Sequence, residues 1–162
     1  MKTEITMAAC AALALLACSP EPVTSVVLTP TTPELAEVLR LADERWEAAG
    51  VSRDRIIIGE SGAPVRFVPE RAPISETRTT YRASDFMGVR WMELSSLDVD
   101  NATHELGHAL GIGGFISHPF DEADCEGSDR PLMCRIGGSH ISEPDLEVAC
   151  SVGDCAHFDP EI

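Results

Sequence analysis

The residues of this chain that could do chemistry together are His104-Glu105-Leu106-Gly107-His108. Two histidines four apart stand one above the other on a helix, so both imidazoles can reach a single metal ion. A glutamate beside such a metal is the group that takes a proton from water. At about 100° per residue, His104, Glu105, His108 and Gly111 fall on one side of the helix, and Val99, Ala102, Leu106, Ala109 and Leu110 on the other. One face can therefore hold metal while the opposite face is buried. Asp98 and Asp100 stand just upstream, where a helix start favours capping and negative charge. The pentapeptide also arises by chance, on the order of once in a hundred chains of this composition. Chance does not also supply an amphipathic helix, a glycine after the second histidine and a methionine downstream.

The run His104-Glu105-Leu106-Gly107-His108-Ala109-Leu110-Gly111-Ile112-Gly113 is followed by Pro131-Leu132-Met133 and then by Ile141-Ser142-Glu143-Pro144-Asp145-Leu146. Together these resemble the metzincin metallopeptidases, and within them the matrixin-like branch. The resemblance implies a zinc-dependent endopeptidase in which His104 and His108 hold Zn²⁺ and Glu105 is the general base. It implies that Gly111 lets the chain turn sharply towards a third ligand, that Met133 forms a turn beneath the metal, and that a C-terminal helix begins near Ser142. The family places its third ligand where this chain has Gly114. His118, four residues later, is the expected replacement, because the Gly113-Gly114 pair tolerates the torsions needed to bring it back. Asp121 and Asp124 are the carboxylate alternatives.

The elements around the motif read as one α+β domain: a twisted mixed sheet, a long N-terminal helix, the zinc-binding helix and a small C-terminal lobe. Expected strands lie at 25–29, 55–59, 65–68 and 88–95, each apolar or alternating. Pro33–Ala49 has helical spacing, with Leu35, Val38, Leu39, Ala42, Trp46 and Ala49 in one stripe, Pro33 in the first turn and Gly50 at the end. Residues 71–85 are polar and proline-broken and read as a surface loop, without the acidic spacing of a calcium site. The family holds extended substrate along an antiparallel edge strand; residues 87–92 and 65–68 are the candidates for that role. The upper lobe is expected over 25–112 and the lower lobe over 113–162.

Residues 1–18 read as a leader: Lys2, then an apolar run too short to span a bilayer, then Cys18. Leu15-Leu16-Ala17-Cys18 resembles a bacterial lipoprotein signal, which implies lipidation of Cys18, a short tether at 19–24 and attachment to the outer membrane; ordinary secretion is the alternative. Cys125, Cys134, Cys150 and Cys155 then remain. An even count in an exported domain reads as two disulfides. Three pairings are possible, of which Cys125–Cys134 with Cys150–Cys155 is preferred; a cysteine-bound second zinc is disfavoured by an oxidising compartment. His140 and His157 have no ligand spacing. The Asn101-Ala102-Thr103 sequon falls within the expected zinc helix.

The formal net charge of −15 and a single lysine, Lys2, disfavour nucleic acid as a partner. The expected protein is a monomeric zinc endopeptidase acting on protein or peptide substrates, touching a membrane only through a lipid. Two rivals follow from the same residues. One is a non-catalytic binding module on the same scaffold, suggested by Gly114. The other is a zinc peptidase whose third ligand is a later glutamate, Glu143 or Glu147.

Overall fold

The computed structural model describes residues 25–82, 85–113, 125–126, 131–134, 140–153 and 155. Among these, the chain forms a mixed α+β arrangement: a five-stranded, mostly parallel sheet and three α-helices. The strands are β1 (Val26–Pro30), β2 (Ile56–Ile58), β3 (Ala63–Phe67), β4 (Glu76–Arg82) and β5 (Asp85–Leu94). The helices are α1 (Pro33–Ala49), α2 (Val99–Ala109) and α3 (Glu143–Val152). The spatial order is β2-β1-β3-β5-β4. The first four pair in parallel and β4 runs antiparallel to β5.

α1 forms where its periodicity places it. Thr32 caps it, its side chain accepting from Leu35 N at 3.3 Å, and Pro33 occupies a first-turn position where a missing N–H is harmless. Leu35, Leu39, Ala42 and Trp46 are its buried stripe. The Trp46 indole N–H donates to Thr103 O at 2.9 Å, so the largest side chain of α1 is satisfied by the backbone of α2 and fixes the two helices together.

Two expectations about the sheet are corrected. Residues 71–85 do not form a loop: after a 3-10 turn at Pro69–Arg71, residues Glu76–Arg82 are a strand. Pro73 and the polar composition suggested a break, but threonines at alternate positions suit an edge strand with one side towards water. Neither 65–68 nor 87–92 is an edge, because β3 lies between β1 and β5, and β5 lies between β3 and β4. The antiparallel edge is β4, which carries irregularities in register at Arg78/Thr79 and Thr80/Tyr81. Such bulges suit an edge.

Arg55, buried at the start of β2, ties α3 to the rest. Its guanidinium lies 3.4 Å from Ala149 O in α3 and 3.4 Å from Leu110 O at the end of α2. A fixed cation at two helix C-termini meets the negative ends of both dipoles. Both preferred disulfides are present, Cys125–Cys134 and Cys150–Cys155, with Cα atoms 5.7 and 5.4 Å apart. No helix among the described residues is long and apolar enough to cross a membrane. The leader, Cys10, Cys18 and His157 lie outside the described residues.

Candidate metal centre

α2 is capped by Asp98, whose side chain accepts from Asp100 N at 2.9 Å. The helix is more deeply enclosed than its amphipathic pattern suggested. Thr103, Glu105 and Gly107 are buried along with Ala102, Leu106 and Ala109, while His104 and His108 are half-buried. Gly107 explains part of this. A Cβ there would meet Met133 Sδ at 2.2 Å and Trp46 Cζ2 at 3.0 Å. Only glycine lets Met133 lie directly against the helix at this position.

The end of α2 builds one side of the site. Gly111 N–H bonds to His108 O and Ile112 N–H to Gly107 O, each at 3.0 Å. These crossed bonds belong to a helix that stops at a left-handed residue, and Gly111 supplies it with φ +95°. The turn brings Ile112 O over the helix end, where it accepts from His108 Nδ1 at 2.8 Å. On the other side, Leu132 O accepts from His104 Nδ1 at 2.7 Å.

Carbonyl oxygens only accept, so each Nδ1 carries a hydrogen and each neutral ring holds its lone pair on Nε2. The ring centroids are 5.0 Å apart and the planes 86° from parallel. Burial pushes the His104 pKa below its ordinary value, against the opposing effects of the Leu132 bond and the Asp145 charge. The neutral form, which a metal requires, is favoured.

Asp145 supports the turn that holds Leu132. It lies in the first turn of α3 and is fully buried. Its Oδ2 accepts from Leu132 N at 3.0 Å and its Oδ1 from Met133 N at 3.2 Å. Oδ2 also accepts from Ser142 N and Ser142 Oγ, each at 2.8 Å, within the capping box that starts α3. The carboxylate is thus satisfied on both oxygens, and it fixes the Pro131–Cys134 turn to a helix end.

Glu105 is 4% exposed. Thr77 of β4 donates to its Oε2 at 2.6 Å, and the same hydroxyl lies 3.2 Å from Glu105 O. Burial pushes the Glu105 carboxyl up to about 7, against the lowering effect of the Thr77 bond; the Glu76 charge adds a small upward push. A carboxyl titrating there can both take and return a proton near neutral pH. Beside it, Asn101 Nδ2 donates to Ser75 Oγ at 2.8 Å and reaches Ser96 O at 3.5 Å. Its amide is engaged in the site's framework, which accounts for the sequon's asparagine.

No family model, curated protein or solved structure matches the chain. The site stands on its own geometry. Each imidazole is oriented by a main-chain acceptor at Nδ1, which leaves Nε2 as the nitrogen that could bind a metal, the donor chemistry that suits Zn²⁺. Among the described residues no group of three His, Cys, Asp or Glu converges. The expected third ligand, His118, and its alternatives Asp121 and Asp124 lie outside the described residues. Glu143 and Glu147 are exposed on α3, and it is Asp145 between them that turns inward. His140 is exposed.

Sequence reasoning did not find Thr77, Ser75, Gly107 or Asp145 as parts of the site. Asp145 had a local signal, Ser142 three residues ahead of a carboxylate, which marks a helix start. The others depend on which strand lies across the helix.

Proposed function

We propose that the chain is a zinc-dependent endopeptidase of metzincin type, exported and lipid-anchored at Cys18. His104 and His108 would hold the metal with His118 as third ligand, and Glu105 would be the general base. The observation that carries this reading is the pair of Nδ1 bonds, His104 to Leu132 O and His108 to Ile112 O. They assign the hydrogen of each ring to Nδ1 and leave Nε2 as the nitrogen that would bind the metal, with the buried carboxyl of Glu105 on the same helix. Bound there, Zn²⁺ would lower the pKa of water and polarise the scissile carbonyl. Glu105 takes the proton as water attacks the peptide carbon, then gives it to the departing amine.

The antiparallel edge strand β4 supports the reading. Among the described residues no strand pairs with its outer edge, and an extended peptide adds to such an edge by main-chain hydrogen bonds. Met133 lies against Gly107 of the helix that carries both histidines, which supports the turn that the resemblance expects beneath the metal. The two disulfides suit the oxidising compartment that export implies.

The test compares parent and Glu105→Ala protein, purified with disulfides formed, for zinc content and for cleavage of a mixed peptide library. Cleavage by the parent alone, with one zinc per chain in both, is expected. Zinc-loaded, folded parent that cleaves nothing would favour the non-catalytic binding module. Loss of zinc in Glu105→Ala would overturn the role given to Glu105. A Cys18→Ser form that still partitions into detergent would overturn the lipid anchor.

A further inference from the structure

We infer that Thr77 is the positioning residue for Glu105, so that the strand offered to substrate also aims the base; the inference rests on the endopeptidase reading. The contact is matched along both elements. Ser75 and Thr77, two apart on one side of the chain entering β4, meet Asn101 and Glu105, four apart on one face of α2. A strand repeats every two residues and a helix returns nearly to the same face after four, so the two contacts share one direction. Ser75 is itself held from the residue that follows β5, since Ser95 N donates to its Oγ at 2.9 Å. The strand is therefore locked at one end before Thr77 reaches Glu105.

At Glu105 the bond selects between two oxygens. Oε2 is engaged by Thr77 at 2.6 Å, which leaves Oε1 to meet the attacking water. A carboxylate free to turn would present either oxygen over a range of angles, and proton transfer depends on geometry before it depends on basicity. His104 and His108 are oriented by the Leu132 and Ile112 carbonyls, so the bonds that orient the two imidazoles and the bond that orients the base are different ones.

The experiment uses Thr77→Val, which keeps the shape and removes the hydroxyl, with Thr77→Ser, which keeps the hydroxyl. Thr77→Val should bind zinc with the parent's affinity and keep its KM, while kcat falls about tenfold or more, a fraction of a general base's full effect. Thr77→Ser should restore most of kcat. In the metal-free proteins, the Glu105 carboxylate infrared band, assigned by its loss in Glu105→Gln, should shift in Thr77→Val and not in Thr77→Ser. Folded Thr77→Val with the parent's kcat and unshifted band would overturn the inference, as would Thr77→Ser no faster than Thr77→Val. An inactive, zinc-loaded parent would overturn the endopeptidase reading instead, and with it the catalytic meaning of Thr77.

Discussion

His104 and Asp145 are joined through one peptide group. The Leu132 carbonyl accepts from His104 Nδ1 at 2.7 Å, and the Met133 N–H of the same peptide donates to Asp145 Oδ1 at 3.2 Å. A carboxylate on the N–H end polarises the amide and makes its oxygen a stronger acceptor. The negative charge of α3 is therefore felt at the imidazole across 41 residues of chain without direct contact. The arrangement makes a buried acid part of what holds His104 in place.

Asp145→Asn should weaken both fold and site. Asparagine keeps the shape but has one accepting oxygen where the carboxylate has two, and its NH₂ would face donors. A buried donor left unpaired costs about 1–3 kcal/mol, so thermal unfolding should shift by several degrees. Loss of a residue that orients a ligand through an intermediary typically lowers metal affinity about 10–100-fold. A zinc competition titration checks this. Unchanged affinity in a folded variant would show that the Leu132–Met133 peptide holds His104 without Asp145.

Gly107→Ala brings two effects into opposition. Alanine is the better helix former by about 1 kcal/mol. Its Cβ, however, would stand 2.2 Å from Met133 Sδ and 3.0 Å from Trp46 Cζ2, and both side chains are fully buried. Overpacking of this kind costs about 1–3 kcal/mol, so net destabilisation is expected. Met133→Ala removes the obstacle. In a double-mutant cycle by chemical denaturation, Gly107→Ala should be less damaging, or favourable, in the Met133→Ala background. Additive effects would mean that Met133 shifts aside without strain.

The sequence was most informative where structure is local. The apolar stripe of α1, its Pro33 start and its Gly50 stop all appear as expected, because periodicity and capping act within a few residues. The placing of His104, Glu105 and His108 on one helix was legible for the same reason. β4 was not. Its Thr77 and Thr79 face inward as polar residues, so no apolar alternation marks the strand, and Pro73 masks its start. The acceptors that set the histidine tautomers are main-chain carbonyls at Leu132 and Ile112, which carry no side-chain signature. Gly107 carries no signal of its own either, because the side chain that requires it, Met133, is distant in sequence.

Two carboxyls predict how stability varies with pH in the metal-free protein. Burial raises Glu105 from 4.5 to about 7, and raises Asp43 of α1 from 3.8 to about 7, with Glu47 and Glu44 adding to the shift at Asp43. Between the unfolded and folded values the native state binds more protons, so stability falls as pH rises through that window. His104 has the opposite sign: its lowered value makes stability fall as pH drops below 6.5. Asp43→Asn and Glu105→Gln should each gain stability over the parent as pH rises from about 4 to about 8, with the gain levelling off above the folded pKa. Denaturant midpoints across that range measure it. A gain that is largest at acid pH would reverse the assignment.

The two disulfides should separate stability from metal binding. Cys134 follows Met133 directly, is fully buried, and donates its N–H to Pro131 O at 3.2 Å. Cys125–Cys134 therefore closes a loop on the turn whose carbonyl orients His104. Cys150–Cys155 sits at the far end of α3, where Cys155 forms a bridge with Val51, away from the histidines. Replacing either pair by serines removes a cross-link worth about 2–4 kcal/mol, so both variants should unfold at lower denaturant. Only the Cys125/Cys134 variant should also lose zinc affinity, because only there is the Leu132 carbonyl freed. The comparison is made by zinc titration at a temperature where both variants remain folded. An equal loss in both would mean that α3, through Asp145, transmits the Cys150–Cys155 constraint to the turn as effectively as the adjacent disulfide does.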